Sequence, residues 1–241
     1  MFGRNKVAMI VAEFLGTAIL AVAVFSMSRY SGALPFLPSP AFIAGLTAGL
    51  MVLVVGDISG AHINPAVTYG LWTVRKISTY QAVVYITAQM LGGLAAWQLL
   101  KYLAVDSRAP LMDIAGKNID VKVMIAEGLG AFVFITGVAA AVYKKFDGLQ
   151  KAFTIGASLT LGILVASIFS NGVVNPAVAV GIRSFNVSYV VGPLVGAAVA
   201  TNLYALLFAP QEARTSLVRR AVSATRRSTP RARGGSTRRR R

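Results

Sequence analysis

The sequence predicts an all-α membrane protein: six transmembrane helices plus two re-entrant half-helices, arranged as an inverted repeat. Three observations carry this. Of 241 residues, 56% are hydrophobic and only 13% are charged, too little charge for a soluble domain of this length. The apolar residues gather into six runs, near 7–28, 36–56, 80–104, 122–143, 152–170 and 188–209, each close to the roughly 20 residues that a helix needs to cross a bilayer. Two shorter stretches, SGAHINPAVTYG at 59–70 and SNGVVNPAVAVG at 170–181, place Asn-Pro-Ala once in each half of the chain.

The first run follows Arg4 and Lys6 and exceeds the apolar stretch of an ordinary signal peptide, so it is expected to stay in the membrane as a signal anchor. Runs one to three form one half, about 7–104, and runs four to six a second, about 122–209. The halves repeat: AEFLGTAIL at 12–20 matches AEGLGAFVF at 126–134, and AQMLGG at 88–93 corresponds to GPLVGA at 192–197. Because each half has an odd number of spans, the second enters the membrane inverted. Such repeats place a shared site near the midplane, between interrupted helices. Small residues at four-residue spacing (Gly45 and Gly49; Ala88, Gly92 and Ala96; Gly192, Gly196 and Ala200) mark close helix packing.

Each Asn-Pro pair predicts a helix start, since asparagine caps well and proline's missing N–H is not needed in the first turn. The segments AVTYGLWTV and AVAVGIRSF that follow are apolar but too short to span. A helix of about ten residues covers roughly 15 Å, half of a hydrocarbon core. Inverted by the repeat, the two half-helices meet at their electropositive N-termini. The approach segments, Gly60, Ala61, His62 and Ile63, and Asn171, Gly172, Val173 and Val174, are nonhelical backbone at membrane depth. That is tolerable only where carbonyls face a wet path.

Charge is uneven. The net charge is +16, yet residues 211–241 alone hold 11 arginines against the single acid Glu212. The segment 210–241 is expected to be a disordered, Arg-rich cytoplasmic tail. Arg75, Lys76, Lys144, Lys145 and Lys151 fall on the side of both termini, opposite Arg29, Arg108, Lys117 and Arg183, which Asp106, Asp113 and Asp120 partly offset. The bias places both termini in the cytoplasm of a plasma (inner) membrane protein. No cysteine, one histidine and no clustered carboxylates leave little material for a metal site or acid–base catalyst. Neither a cofactor nor enzymatic activity is expected.

Through AEFLGT, SGAHINPAVT, AQMLGG, AEGLGA, the second NPA and GPLVGA, the chain resembles the aquaporin or major intrinsic protein family over residues 7–209. The resemblance implies a channel domain over 1–209, a pore in every protomer and a homotetramer in membrane lipid. Its pore would be built around Asn64, Pro65, Ala66, Asn175, Pro176 and Ala177. Glu13 and Glu127, costly inside a span, would brace the re-entrant loops together with Gln89, with a proton relay as the other reading. His62 would line the pore or be a satisfied polar group, and Asp57 would lie near the entrance.

The resemblance also marks this chain as an atypical member. Counting from the motifs, the family's narrowest ring falls on Ala44, Ile163, Gly172 and Val178. Val178 replaces an arginine that directly follows the second NPA in most members. Water-selective members usually have Phe and His at the first two positions, and glycerol-conducting members an Asp where Ala179 stands. Without a guanidinium the ring neither donates to a permeant nor repels cations. The expectation is a passive channel for water or small neutral solutes (polyol, metalloid acid, urea or a gas-like molecule), with selectivity relaxed by an apolar filter. The rival is a membrane-anchored binding or structural protein whose tail holds anionic lipid or nonspecific nucleic acid.

Overall fold

The computed structural model describes residues 4–30, 39–103 and 119–211. Nearly all of the arginine tail, and the orientation charges Arg108, Lys117, Asp106 and Asp113, lie outside them. Eight helices occur among the described residues: α1 (Arg4–Tyr30), α2 (Pro40–Ser59), α3 (Pro65–Thr73), α4 (Thr79–Leu103), α5 (Val121–Tyr143), α6 (Gly148–Ala166), α7 (Pro176–Gly181) and α8 (Ser188–Leu207). Six are long and apolar enough to cross a membrane, and the short α3 and α7 are the half-helices.

Two spans sit a few residues from where apolar runs place them, because capping rather than hydropathy fixes helix ends. The second begins at Pro40 instead of 36, where the Ser39 hydroxyl accepts from the Phe42 N–H at 3.2 Å. The fifth begins at Gly148 instead of 152, capped by Asp147 accepting from the Gln150 N–H at 3.1 Å. It also stops at Ala166, which frees Ser170 for the site described below.

The second half-helix is shorter than its sequence predicts, six residues against nine in α3. A left-handed residue ends each one. Arg75 (φ 57°) precedes a Lys76 N–H that donates to the Leu71 carbonyl, and Arg183 (φ 63°) precedes a Ser184 N–H that donates to the Ala179 carbonyl. Glycine or asparagine usually takes this post.

Packing runs inside out relative to a soluble protein. Val7, Val11, Leu15 and Ile19 form an exposed stripe on α1, and Leu46, Leu50 and Leu53 one on α2. The interior is rich in alanine and glycine, so backbones approach closely where lipid gives no hydrophobic reward for helix contact. Gly45 of α2 faces Gly156 of α6, where a Cβ on Gly156 would come within 2.6 Å of the Gly45 carbonyl. Gly192 and Gly196 of α8 meet the α5 backbone around Gly128, and Gly92 of α4 meets Phe14 of α1. The small-residue positions are helix contacts.

Gly45→Ala should therefore wedge α2 from α6 and cost about 1–3 kcal/mol, visible as an earlier thermal transition of the detergent-solubilised protein.

Candidate functional site

The two nonhelical segments leave their spans with left-handed backbone at Gly60 (φ 93°), Ala61 (50°) and Ile63 (42°), and again at Gly172 (62°) and Val174 (46°). For residues with a Cβ this costs about 1–2 kcal/mol each, most severely for β-branched Ile63 and Val174. One buried carboxylate behind each segment holds it in place. Glu13 accepts from the His62 N–H at 2.9 Å, the Ile63 N–H at 2.7 Å and the Ser59 hydroxyl at 2.7 Å. Glu127 accepts from the Val173 N–H at 2.9 Å, the Val174 N–H at 2.6 Å and the Ser170 hydroxyl at 2.7 Å. Each serine in turn accepts an N–H at 3.0 Å, from Ala61 or Gly172. Every bond that Glu13 or Glu127 makes here is donated to it, which suits an acceptor-only carboxylate.

The braces differ in one respect. Gln89 donates to Glu13 at 2.6 Å and to Thr68 at 2.9 Å, whereas Pro193 of α8 holds the equivalent place in the second half. The Tyr85 hydroxyl donates to the Ser59 carbonyl at 2.8 Å, and the Tyr189 hydroxyl accepts from the Asn171 N–H at 3.1 Å. Ser59 and Ser170 are parts of the site that the sequence reading missed. The signal was present: a serine stands five residues before each Asn-Pro.

The half-helices meet at their starts. Asn64 caps α3, its Oδ1 accepting from the Ala66 N–H at 2.8 Å, and Asn175 caps α7, accepting from Ala177 at 3.1 Å and Val178 at 3.3 Å. Each amide nitrogen also reaches across: Asn64 Nδ2 donates to the Val174 carbonyl and Asn175 Nδ2 to the Ile63 carbonyl, both at 3.0 Å. The sequence suggested that both carboxamides face a permeant. In the fold, one N–H of each is committed to locking the loops together, leaving the second for anything that passes.

Two cavities approach this junction from opposite ends. One, of about 180 Å³, is lined by Gly60, Ala61, His62, Ile63 and Asn64 and by Lys76 and Lys151; we call it the basic cavity. The other, of about 210 Å³, is lined by Asn171, Gly172 and Val173 and by Ala44, Ile163 and Val178, and among the described residues no ionisable side chain lines it. We call this one the uncharged cavity. Leu20, Leu159 and Asn175 line both. The four ring positions, drawn from α2, α6, the second loop and α7, thus share one chamber. Arg183 lines neither cavity, so it does not stand in for the arginine absent at Val178.

Among the described residues, no donor meets the carbonyls of Gly60, Ala61, His62, Asn171, Gly172 or Val173. A backbone carbonyl without a protein partner bonds to water. The residues that carry these six lie in two short runs, one along each cavity. His62 lines the basic cavity and is held as well, with Nδ1 at 3.1 Å from the Thr68 hydroxyl and its ring edge-on to Tyr85 at 5.3 Å. The Asn171 amide is spent on Ser184 at 3.0 Å, and Asp57 is exposed and lines neither cavity.

Glu127→Gln should leave backbone N–H groups facing a carboxamide that can no longer accept from all of them, costing about 1–3 kcal/mol for each one orphaned. Ser170→Ala should cost about 1 kcal/mol. Thermal denaturation gives the order, and amide hydrogen exchange at 172–174 should speed up first.

The sequence model of the Major intrinsic protein family matches residues 3–204. Aquaporin-5 of Sus scrofa is 32% identical over 216 residues, covering 83% of this chain and 80% of its own. Probable aquaporin TIP5-1 of Arabidopsis thaliana is 31% identical over 229 residues, covering 88% and 89%. Among solved structures, the aquaglyceroporin from Plasmodium falciparum superposes with a TM-score of 0.61 at 22% identity, over 82% of this chain and 95% of that one.

Proposed function

This chain belongs to the major intrinsic protein family and is thus a multi-pass membrane channel protein, not an enzyme; from that premise we propose that it passes small neutral solutes, water among them, through an apolar ring. The observation that carries the proposal is the pair of unpartnered carbonyl ladders leading from two cavities to the crossed asparagines.

A permeant in such a path exchanges its water shell for fixed protein dipoles. Its hydroxyl or amide hydrogens bond to the ladder carbonyls, and its oxygen accepts the remaining N–H of Asn64 or Asn175. The opposite walls are apolar, with Leu20 and Leu159 at the waist. The path therefore suits a molecule that is polar on one side and apolar on the other. Pore width, lining donors and acceptors, and the positive ends of half-helices are the terms that set aquaporin-type selectivity in general. Here the ring of Ala44, Ile163, Gly172 and Val178 has no charge and no side-chain donor. It favours a polyol, urea or a protonated metalloid acid over strict discrimination for water. The cationic starts of α3 and α7 oppose metal ions and hydronium.

The basic residues around α3–α4 and α5–α6 support cytoplasmic termini in a plasma (inner) membrane, and family membership supports a homotetramer. The tail's arginines suit anionic lipid, at about 1 kcal/mol each near the surface.

Proteoliposomes carrying the full chain should shrink and recover faster than empty vesicles in osmotic jumps of sucrose, glycerol and urea. Loss of any difference for every neutral solute would favour a binding or structural role. Val178→Arg should lower solute flux about tenfold or more, within the range one well-placed pocket contact provides, while water flux falls less. Equal losses would remove Val178 from the constriction. Deleting 212–241 should leave flux unchanged and weaken cosedimentation with phosphatidylglycerol vesicles in a salt-dependent way.

A further inference from the structure

The basic and uncharged cavities adjoin but stay separate, and a path is narrowest where two such volumes meet. Among the described residues, Leu20 of α1, Leu159 of α6 and Asn175 line both. The uncharged cavity reaches from Ser28 in the last turn of α1 and Ser39 at the cap of α2, past Ala44, Ile163 and Val178, to that junction. Its volume is therefore continuous across the apolar ring. We propose that Leu20 and Leu159, and not the ring, set the size limit of this channel. This deepens the channel reading above and rests on it.

Helix periodicity fixes the level of the junction, because residues four apart lie on one face. Along α6, Ile155 lines the basic cavity, Leu159 both and Ile163 the uncharged one. Along α2, Ala44 lines the uncharged cavity and Ala48 the basic one. Along α1, Leu20 lines both and Val24 only the uncharged cavity. Three helices thus change cavity at one level, and on α6 that level lies about 6 Å from the ring residue Ile163.

Side-chain size and rigidity agree with this placement. At the ring Ala44 contributes a methyl group and Gly172 no side chain, whereas the junction carries two leucines. Both leucines are 3% exposed and belong to the main apolar core, where close packing resists displacement of a side chain. The asparagines cannot swing aside either, since each amide is tied across the repeat at 3.0 Å. A solute must fit between branched hydrocarbon and a fixed carboxamide. The ring then governs polarity and the junction governs width.

The test uses the full chain in phosphatidylcholine vesicles and a graded series of water, urea, glycerol, erythritol and ribitol, read by light scattering after osmotic jumps. The smallest member held at the empty-vesicle rate marks the limit. Leu20→Ala and Leu159→Ala should each raise the flux of that member about tenfold, the order that a methylene in an apolar site provides. Leu159→Phe should lower the flux of the largest solute the wild type passes by a similar factor, with water affected less. Ile163→Ala should raise the excluded member far less than Leu159→Ala does. Gel filtration in detergent checks that each variant folds, and Leu159→Val, a milder change with a smaller expected step, carries the test if the alanine variants do not. The proposal is overturned if the folded Ala or Val variants keep water flux with the limit unmoved, if Ile163→Ala moves it as far, or if the wild type passes the whole series. Absence of wild-type flux for every member, water included, would instead sink the channel reading, and would show before any leucine is changed.

Discussion

In hydrocarbon an unpaired peptide group costs several kilocalories per mole, and this chain interrupts helical structure twice at membrane depth. The constraint is met by assigning each side of the broken backbone a different partner. Its N–H groups turn back onto Glu13 and Glu127, while residues of the same two segments line the cavities. The left-handed residues Ala61, Ile63 and Val174 follow from that division of labour, since alternating backbone handedness lets successive carbonyls point the same way. Remove the carboxylates and the strained turns lose what over-determines them. Everything else in the site, including the placement of Asn64 and Asn175, depends on those turns.

The crossed asparagines convert two such turns into one unit. Each caps its own half-helix and donates to the residue preceding the other cap. Coupling through two direct bonds makes the waist a shared element of both repeats. The halves are nonetheless unequal. Gln89 and Thr68 add ties around Glu13, while the second brace has Pro193 in the corresponding place and a half-helix of only six residues. The cavity lined by Ala44, Ile163, Gly172 and Val178 therefore borders the less heavily bonded half.

Much of this was legible in the sequence because its signals are periodic or repeated. Six long apolar runs, paired AEFLGT and AEGLGA segments and two Asn-Pro steps specify spans, inversion and half-helices through elementary helix physics. Glu13 and Glu127 stand out as charges in apolar runs, and Ala44, Ile163, Gly172 and Val178, counted from the motifs, do share a chamber. What remained hidden concerns direction and commitment. Sequence shows that Asn64 can donate, not that one of its hydrogens is already spent on the Val174 carbonyl. Span ends slipped at Ser39 and Asp147, where a single side-chain bond outweighs several residues of hydropathy. Ser59 and Ser170 were overlooked because a small hydroxyl near a loop is common, and only its recurrence before each motif gives it meaning.

The unpartnered carbonyls have a consequence for what counts as the protein. Six backbone acceptors along the corridor have no donor among the described residues and are completed by whatever fluid occupies it, so the cargo doubles as mortar. A dried corridor would leave the scaffold itself short of bonds, and the folded architecture and its traffic are in that sense a single thermodynamic object.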